Sequence, residues 1–196
     1  MVILYFSPIF WNDLKQRPQH IAEELSKYHK VFFVEPSISY IKSLLEGNDL
    51  YKYNEFDVNH NLKVIRPSGK FRLPKVFEVI DVLKINCAFD RIQMKRLFSI
   101  CDIIWIGSPI YYSIFKGIKN KKVIYDKMDD YEYLTQNKML KKVIRRNEQN
   151  LIKDSDIIFT SGQVFYNTIK KSNNNIYILK NAVENSVYYS ELDNEV

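Results

Sequence analysis

The acidic residues that follow one apolar run are the first candidates for chemistry. Asp126, Asp129 and Asp130 lie in the stretch YDKMDDYEY, residues 125–133, among three tyrosines. Carboxylates at the end of a buried strand can orient the hydroxyl groups of a ligand, and they can accept a proton if their pKa is raised. The structural alternative is that one aspartate caps a helix while another pairs with Lys127 at the surface. Because capping uses one aspartate and the stretch offers two in succession, the spacing favours a functional role for Asp129 and Asp130.

A second group of candidates lies in the long segment SPIFWNDLKQRPQH, residues 7–20, at the start of a predicted helix. The Trp11 ring could stack on a ligand ring, and Arg17 could bind a phosphate or carboxylate through two hydrogen bonds. Gln19 and His20 could hydrogen-bond to hydroxyl groups. The structural alternative is a packed tryptophan, a solvated arginine and a histidine that bonds to the backbone. Singly, each residue fits that alternative better; together they leave the two interpretations evenly balanced.

Ser108 and Tyr131 complete the candidate binding residues. Ser108 and Pro109 follow an apolar run and open a predicted helix, so backbone amides there could contact an anion, although most α/β folds share this feature. Tyr131 stands directly after the paired aspartates.

Several common active-site motifs are missing from the sequence. It contains neither G-x-G-x-x-G nor G-x-x-x-x-G-K-[ST], and five glycines cannot build either loop after the first strand, which argues against a nicotinamide oxidoreductase or a P-loop NTPase. H-E-x-x-H, G-x-S-x-G and clustered Cys and His are also missing, which argues against a metallohydrolase or a serine hydrolase. We therefore predict no metal site and no bound cofactor.

Short apolar runs alternate with amphipathic segments along the chain, and this order predicts the fold. The runs are continuous rather than alternating, as expected for parallel strands covered on both faces. They cover residues 2–6, 31–35, 62–66, 102–107, 123–127, 156–161 and 176–180. Helical patterns cover residues 18–28, 37–47, 75–99, 109–117, 138–153 and 163–172, whereas 48–61 is predicted to be irregular. The sequence thus predicts an α/β, doubly wound, Rossmann-like fold: a mostly parallel sheet of about seven strands with helices on both faces. Ligands bind such sheets outside the carboxyl ends of the strands, where both candidate groups lie.

The composition is that of an ordinary globular chain. It has 196 residues, 46% hydrophobic and 27% charged, which excludes a disordered chain, a collagen and a small disulfide scaffold. Cys87 and Cys101 lack the spacing of a metal or redox pair and are too few for a secreted framework, so we predict a cytoplasmic protein. No run of about 18 apolar residues is present that could span a bilayer.

The net charge of +6 favours binding to phosphates, anionic lipid or nucleic acid, and it does not distinguish between these three classes of partner. The basic side of residues 138–153 could contact an anionic membrane, while a solvated face on a packed helix is the simpler interpretation. Aromatic and basic residues are not interleaved as in nucleic-acid-binding modules, so we expect no nucleic-acid partner.

The order of several motifs resembles a known family. W-x5-R-P-Q-H-I-A-x2-L in residues 11–25 is followed by VFFVEP (31–36), VIYDKMDDYEY (123–133), LIKDSDIIFTSG (151–162) and IYILKNAVE (176–184). This series resembles the N-terminal half of bacterial GT-B glycosyltransferases, most closely the group that builds teichuronic-acid-like and capsular polysaccharides. The R-P-Q-H and D-x-x-D-D elements carry most of the likeness, whereas the D-I-I-F-T-S and N-A-V elements are general to GT-B enzymes.

The resemblance implies an acceptor-side domain of a two-domain enzyme. Residues 1–184 would form the N-terminal domain, and 185–196 a tail or the start of an interdomain linker. The C-terminal domain, which in this family binds most of the nucleotide-sugar donor, is absent from the sequence, so we expect the chain alone to be inactive. Asp129 and Asp130 would be the catalytic candidates, and the acceptor-binding candidates would be Trp11, Arg17, Gln19, His20, Ser108 and Tyr131.

Two functions follow as alternatives. The first is a domain of a glycosyltransferase that transfers a sugar from a nucleotide diphosphate to a glycan or lipid-linked acceptor in cell-surface polysaccharide synthesis. The enzyme would act in the cytoplasm, with peripheral contact to the inner face of the membrane left open. The second is a non-catalytic doubly wound module that binds a sugar, a phosphorylated ligand or a partner protein, since this fold hosts many functions.

Overall fold

The computed structural model describes residues 1–36, 54–67 and 85–181. Three predicted segments lie outside the described residues: the helix at 37–47, the first part of the helix at 75–99, and the tail or linker at 185–196.

The described residues form one eight-stranded sheet. Its strands are β1 Val2–Phe6, β2 Lys30–Val34, β3 Asn54–Asp57, β4 Leu62–Arg66, β5 Ile103–Ile106, β6 Lys122–Lys127, β7 Ile157–Thr160 and β8 Ile176–Ile178. The order across the sheet is β3-β4-β2-β1-β5-β6-β7-β8, and every neighbouring pair is parallel except β3 and β4. All seven predicted strands are present, which confirms the doubly wound, mostly parallel fold.

The eighth strand corrects one prediction. β3 lies within residues 48–61, which the sequence predicts to be irregular, and it pairs antiparallel with β4. Three of its four residues are polar and three are exposed at the sheet edge, so no apolar run marks it. The turn into β4 is held by Asn59, whose side-chain oxygen accepts hydrogen bonds from the backbone N–H groups of Asn61 and Leu62.

The helices follow the predicted order, and most are shorter than predicted, whereas the helix predicted at 138–153 extends one residue further. They are α1 Arg17–Ser26, α2 Ile85–Gln93, α3 Lys95–Ile100, α4 Tyr112–Phe115, α5 Lys138–Asp154 and α6 Gln163–Ile169, with 3-10 turns at Pro109–Tyr111 and Tyr131–Leu134. The single helix predicted at 75–99 is, in its described part, two helices that meet at Met94. Within the described ranges, no helix combines the length and the apolar character needed to cross a bilayer.

Apolar side chains pack on both faces of the sheet, as the continuous runs predict. One face packs against α3 to α6, through residues such as Phe98, Phe115 and Leu151. The other packs against α1 through Ala22. On this second face a row of five rings crosses the sheet, from the segment after β1 to β7, at centroid distances of 5.0, 5.5, 5.6 and 5.4 Å. The row runs Trp11, Phe33, Tyr5, Trp105 and Phe159.

The strand order places a crevice between β1 and β5. From β1 the chain moves first to β2 on one side and later to β5 on the other. The connections that leave the carboxyl ends of β1 and β5 therefore run in opposite directions, and the space between them is where doubly wound folds bind ligands.

Candidate ligand-binding cleft

A cleft of about 630 Å³ lies at this point, outside the carboxyl ends of β1, β5 and β6. Three connections supply most of its lining. They contribute Pro8, Ile9, Lys15, Gln16, Arg17, Pro18 and His20 after β1; Ser108, Ile110 and Tyr111 after β5; and Met128, Asp129, Tyr131, Leu134 and Thr135 after β6. Pro36, Ile144 and Asn181 complete it.

The structure brings together five of the eight residues that the sequence singled out. Arg17, His20, Ser108, Asp129 and Tyr131 line the same cleft. The segment after β1 and the aspartate stretch after β6 therefore meet, although about one hundred residues separate them in sequence.

The other three candidates, Trp11, Gln19 and Asp130, do not line the cleft. Trp11 packs edge-on against the Phe33 ring. Gln19 is 1% exposed; its amide nitrogen donates to the Phe10 carbonyl at 3.2 Å and its side-chain oxygen accepts from the Gln16 N–H at 2.9 Å. The bond to Gln16 caps the start of α1, and the bond to Phe10 ties the long segment before α1 to the helix.

The loop after β6 turns its two aspartates to different surroundings. Asp129 is exposed and lines the cleft, and within the described part of the chain no side-chain hydrogen bond or ion pair engages its carboxylate. The Asp130 carboxylate instead lies 3.7 Å from the Lys127 ammonium. Asp129 is therefore the carboxylate that a ligand in the cleft can reach.

One partly buried and one fully buried hydrogen bond hold this loop in place. Ser161 Oγ donates to the Met128 carbonyl at 2.8 Å, and the Tyr131 hydroxyl donates to the Gly107 carbonyl. Burial, and after it the charge of Asp129, raises the pKa of the Tyr131 phenol well above its usual value. Tyr131 therefore stays protonated and acts as a fixed hydrogen-bond donor under the loop.

Arg17, which lines the cleft, forms a buried ion pair with Asp126. Arg17 Nε and Nη2 donate to the two Asp126 carboxylate oxygens at 3.0 and 2.6 Å, and the Asp126 side chain is fully buried. Burial raises the pKa of the Asp126 carboxyl, and the hydrogen bonds and charge of Arg17 oppose that rise. The remaining Arg17 nitrogen donates to the Leu179 carbonyl and, at 3.2 Å, to Asn181 Oδ1. Arg17 thus joins α1, β6 and the chain beyond β8.

Two further carboxylates, the buried Glu35 and the partly buried Glu148, have structural roles that the sequence alone does not reveal. Glu35, at the end of β2, accepts the backbone N–H of Trp11 at 2.6 Å and pairs with Arg66. Glu148 on α5 accepts from the Lys127 ammonium at 2.6 Å and from the Tyr125 hydroxyl. No local motif marks either group, because their partners are 21 to 31 residues away in sequence.

Gly107 sits where the connections from β1, β5 and β6 approach one another. A Cβ at this position would lie 2.8 Å from Pro8 Cδ, 3.0 Å from the Phe6 carbonyl oxygen and 3.3 Å from Met128 Cε. Pro8 and Met128 line the cleft, so a larger residue here would displace two of its walls.

We expect Gly107→Ala to lower the free energy of unfolding by about 1–3 kcal/mol, because the backbone oxygen of Phe6 cannot move aside cheaply. Urea denaturation followed by circular dichroism measures this. Gly162→Ala is the matched control, since nothing lies within 4 Å of a Cβ there; it should cost less than about 1 kcal/mol. Equal losses in both variants would contradict the close packing at Gly107.

The cleft combines apolar walls with a few polar groups. Its prolines, isoleucines and Met128 give apolar contact surface, while Ser108, Thr135, Asn181 and Asp129 bring hydroxyl, amide and carboxylate groups. This combination suits a ligand that has hydroxyl groups and an apolar portion, and Asp129 can accept a proton from such a hydroxyl. Among residues 1–36, 54–67 and 85–181, no three His, Cys, Asp or Glu side chains are grouped so that they could hold a metal ion.

Comparisons with known proteins identify the fold. No family model and no curated protein matches the chain. Two solved structures of sucrose-phosphate synthase from Thermosynechococcus elongatus do match. One has a TM-score of 0.58 over 98% of this chain and 97% of that chain at 9% identity. The other has a TM-score of 0.63 over 91% of this chain at 8% identity. This chain covers 47% of the second structure, about half of its length. The similarity confirms the Rossmann-like α/β fold.

Proposed function

We propose that this chain is the acceptor-side domain of a GT-B glycosyltransferase. The complete enzyme would transfer a sugar from a nucleotide diphosphate donor to a glycan or lipid-linked acceptor in cell-surface polysaccharide synthesis. The observation that carries the proposal is the convergence of Arg17, His20, Ser108, Asp129 and Tyr131 on one cleft. Similarity in fold to a structure described as sucrose-phosphate synthase supports it.

In the proposed reaction, the cleft holds the acceptor with one hydroxyl group near Asp129. That oxygen attacks the anomeric carbon of the donor sugar, the bond from this carbon to the diphosphate oxygen breaks, and Asp129 orients the hydroxyl or takes up its proton. The bond electrons leave with the diphosphate, which needs stabilisation by donor-binding groups of a second domain. We therefore propose that residues 1–196 alone bind acceptor without turnover.

A panel of nucleotide sugars offered to a two-domain protein that contains this chain tests the proposal. We expect release of nucleoside diphosphate from one donor at rates well above those of the 196-residue chain alone, because only the two-domain protein holds both substrates. Liquid chromatography of the nucleotides measures the turnover. Absence of turnover with every donor, together with saturable binding of a sugar to the cleft, would instead support the binding-module alternative.

The location of the proposed sugar transfer in the cytoplasm stays a prediction.

A further inference from the structure

We propose that the surface beside the cleft mouth docks on an anionic lipid bilayer, so that the acceptor is lipid-linked and enters the cleft from the membrane. We call this the Leu134 surface. It consists of the apolar residues Tyr133, Leu134 and Met139 and the basic residues Lys138, Lys142 and Arg146. The statement about the acceptor rests on the proposed function, whereas docking on the bilayer can be measured without it.

The apolar part of the Leu134 surface is unusually exposed. Tyr133, Leu134 and Met139 are 69%, 72% and 55% exposed and lie within seven residues of one another, at the 3-10 turn and the start of α5. Single exposed apolar residues are ordinary, but a group of them in one place marks an interaction surface.

This apolar group continues into the cleft. Leu134 lines the cleft wall, and Ile144, two turns into α5 on its inner side, lines it as well. An amphiphilic acceptor could therefore keep its lipid at the Leu134 surface while its hydroxyl-bearing head group lies near Asp129. A free oligosaccharide has no apolar portion that could contact the exposed apolar residues of the Leu134 surface.

The charge of the same segment is strongly positive. Residues 131–146 contain five lysines and arginines and one acid, Glu132. Arg145 already engages that acid, at 2.8 and 2.9 Å. Among the residues that the structure describes, Lys138, Lys142 and Arg146 are exposed and have no acidic partner. These cations are complementary to an anionic headgroup layer.

The packing of α5 decides how it would meet the membrane. Leu140, Ile144 and Leu151 are buried against the domain. The helix therefore offers only its outer side and would lie along the bilayer surface rather than cross it. Exposed apolar side chains flanked by cations are typical of interfacial helices. An acidic protein would satisfy the cations but not the three exposed apolar side chains, so we favour lipid.

Co-sedimentation of the 196-residue chain with vesicles tests this inference. We expect binding to vesicles of phosphatidylcholine with 30 mol% phosphatidylglycerol, at about one hundred-fold greater partitioning than to phosphatidylcholine alone. Lys138→Ser, Lys142→Ser and Arg146→Ser combined should remove most of this difference. Leu134→Ser with Met139→Ser should lower partitioning to the anionic vesicles by about ten-fold.

Matched controls come from the segments that lead into the amino ends of β2 and β6, whereas the cleft lies outside the carboxyl ends of the strands. Tyr28 is 80% exposed in the turn between α1 and β2, and Lys119 is exposed before β6. Tyr28→Ser and Lys119→Ser should leave partitioning unchanged. Circular dichroism confirms that each variant is folded. The inference is overturned if the wild-type chain does not bind anionic vesicles, if the controls weaken binding as much as the Leu134-surface variants, or if the chain binds polyglutamate but not vesicles. Vesicle binding without sugar transfer by the two-domain protein would count against the proposed function alone.

Discussion

Asp129→Asn in a two-domain protein that contains this chain is expected to lower the kcat of the proposed sugar transfer by about 10²–10⁴-fold with little change in stability. The amide has nearly the same shape as the carboxylate but cannot take up a proton from the acceptor hydroxyl. Asp129 is exposed, so its replacement removes no buried contact. Steady-state rates of nucleoside diphosphate release, measured with saturating acceptor, give the change in kcat.

Two further variants make this result specific. Asp130→Asn should reduce turnover less than Asp129→Asn, because the Asp130 carboxylate does not line the cleft and faces Lys127. Asp57→Asn, on the edge strand β3, removes a comparable exposed charge far from the cleft and should leave kcat within about two-fold, as expected for a surface change. Wild-type turnover in Asp129→Asn would exclude Asp129 from the mechanism.

The largest loss of stability is expected from breaking the Arg17–Asp126 pair. Arg17→Ala leaves the fully buried Asp126 carboxylate without its cation, and Asp126→Ala leaves the guanidinium uncompensated. Each should lower the free energy of unfolding by about 3–5 kcal/mol, because desolvation is no longer offset by the ion pair. Urea denaturation monitored by circular dichroism measures the change.

Replacing both partners at once tests whether the loss of stability comes from the charge that is left unpaired. Arg17→Met combined with Asp126→Leu should be less destabilised than either alanine variant, since no buried charge remains unpaired. Lys27→Ala, which breaks an exposed ion pair with Glu24, should not shift the transition measurably. Alanine variants at Arg17 and Asp126 that unfold at the wild-type urea concentration would show that the pair does not stabilise the domain.

Most of the fold could be predicted from sequence because strands covered on both faces must be apolar throughout. All seven runs of this kind are strands. β3 could not be found this way, since an exposed edge strand of sequence NEFD has no apolar run. The interruption at Met94 was also hidden, because the apolar spacing continues across it from α2 into α3.

The site was predictable in location but not in detail. Ligands bind outside the carboxyl ends of parallel strands. This rule predicts that Arg17 and Asp129 lie at the same site, although no sequence motif joins them. What each side chain does there depends on partners distant in sequence. Gln19 has a residue type suited to hydrogen-bonding a ligand, yet its amide caps α1. Asp126 precedes Asp129 by only three residues in the sequence. It belongs to β6, however, and its side chain is buried against Arg17.

The contacts of Arg17 also bear on the order in which the protein is assembled during synthesis. Its partners Asp126 and Leu179 follow it by 109 and 162 positions. A nascent chain on the ribosome can therefore pair β2 with β1 and β4 long before Asp126 has been translated. The guanidinium can hold the chain beyond β8 only after Leu179 has been added. Until Asp126 has been translated, the Arg17 guanidinium lacks the buried carboxylate with which it pairs in the folded domain.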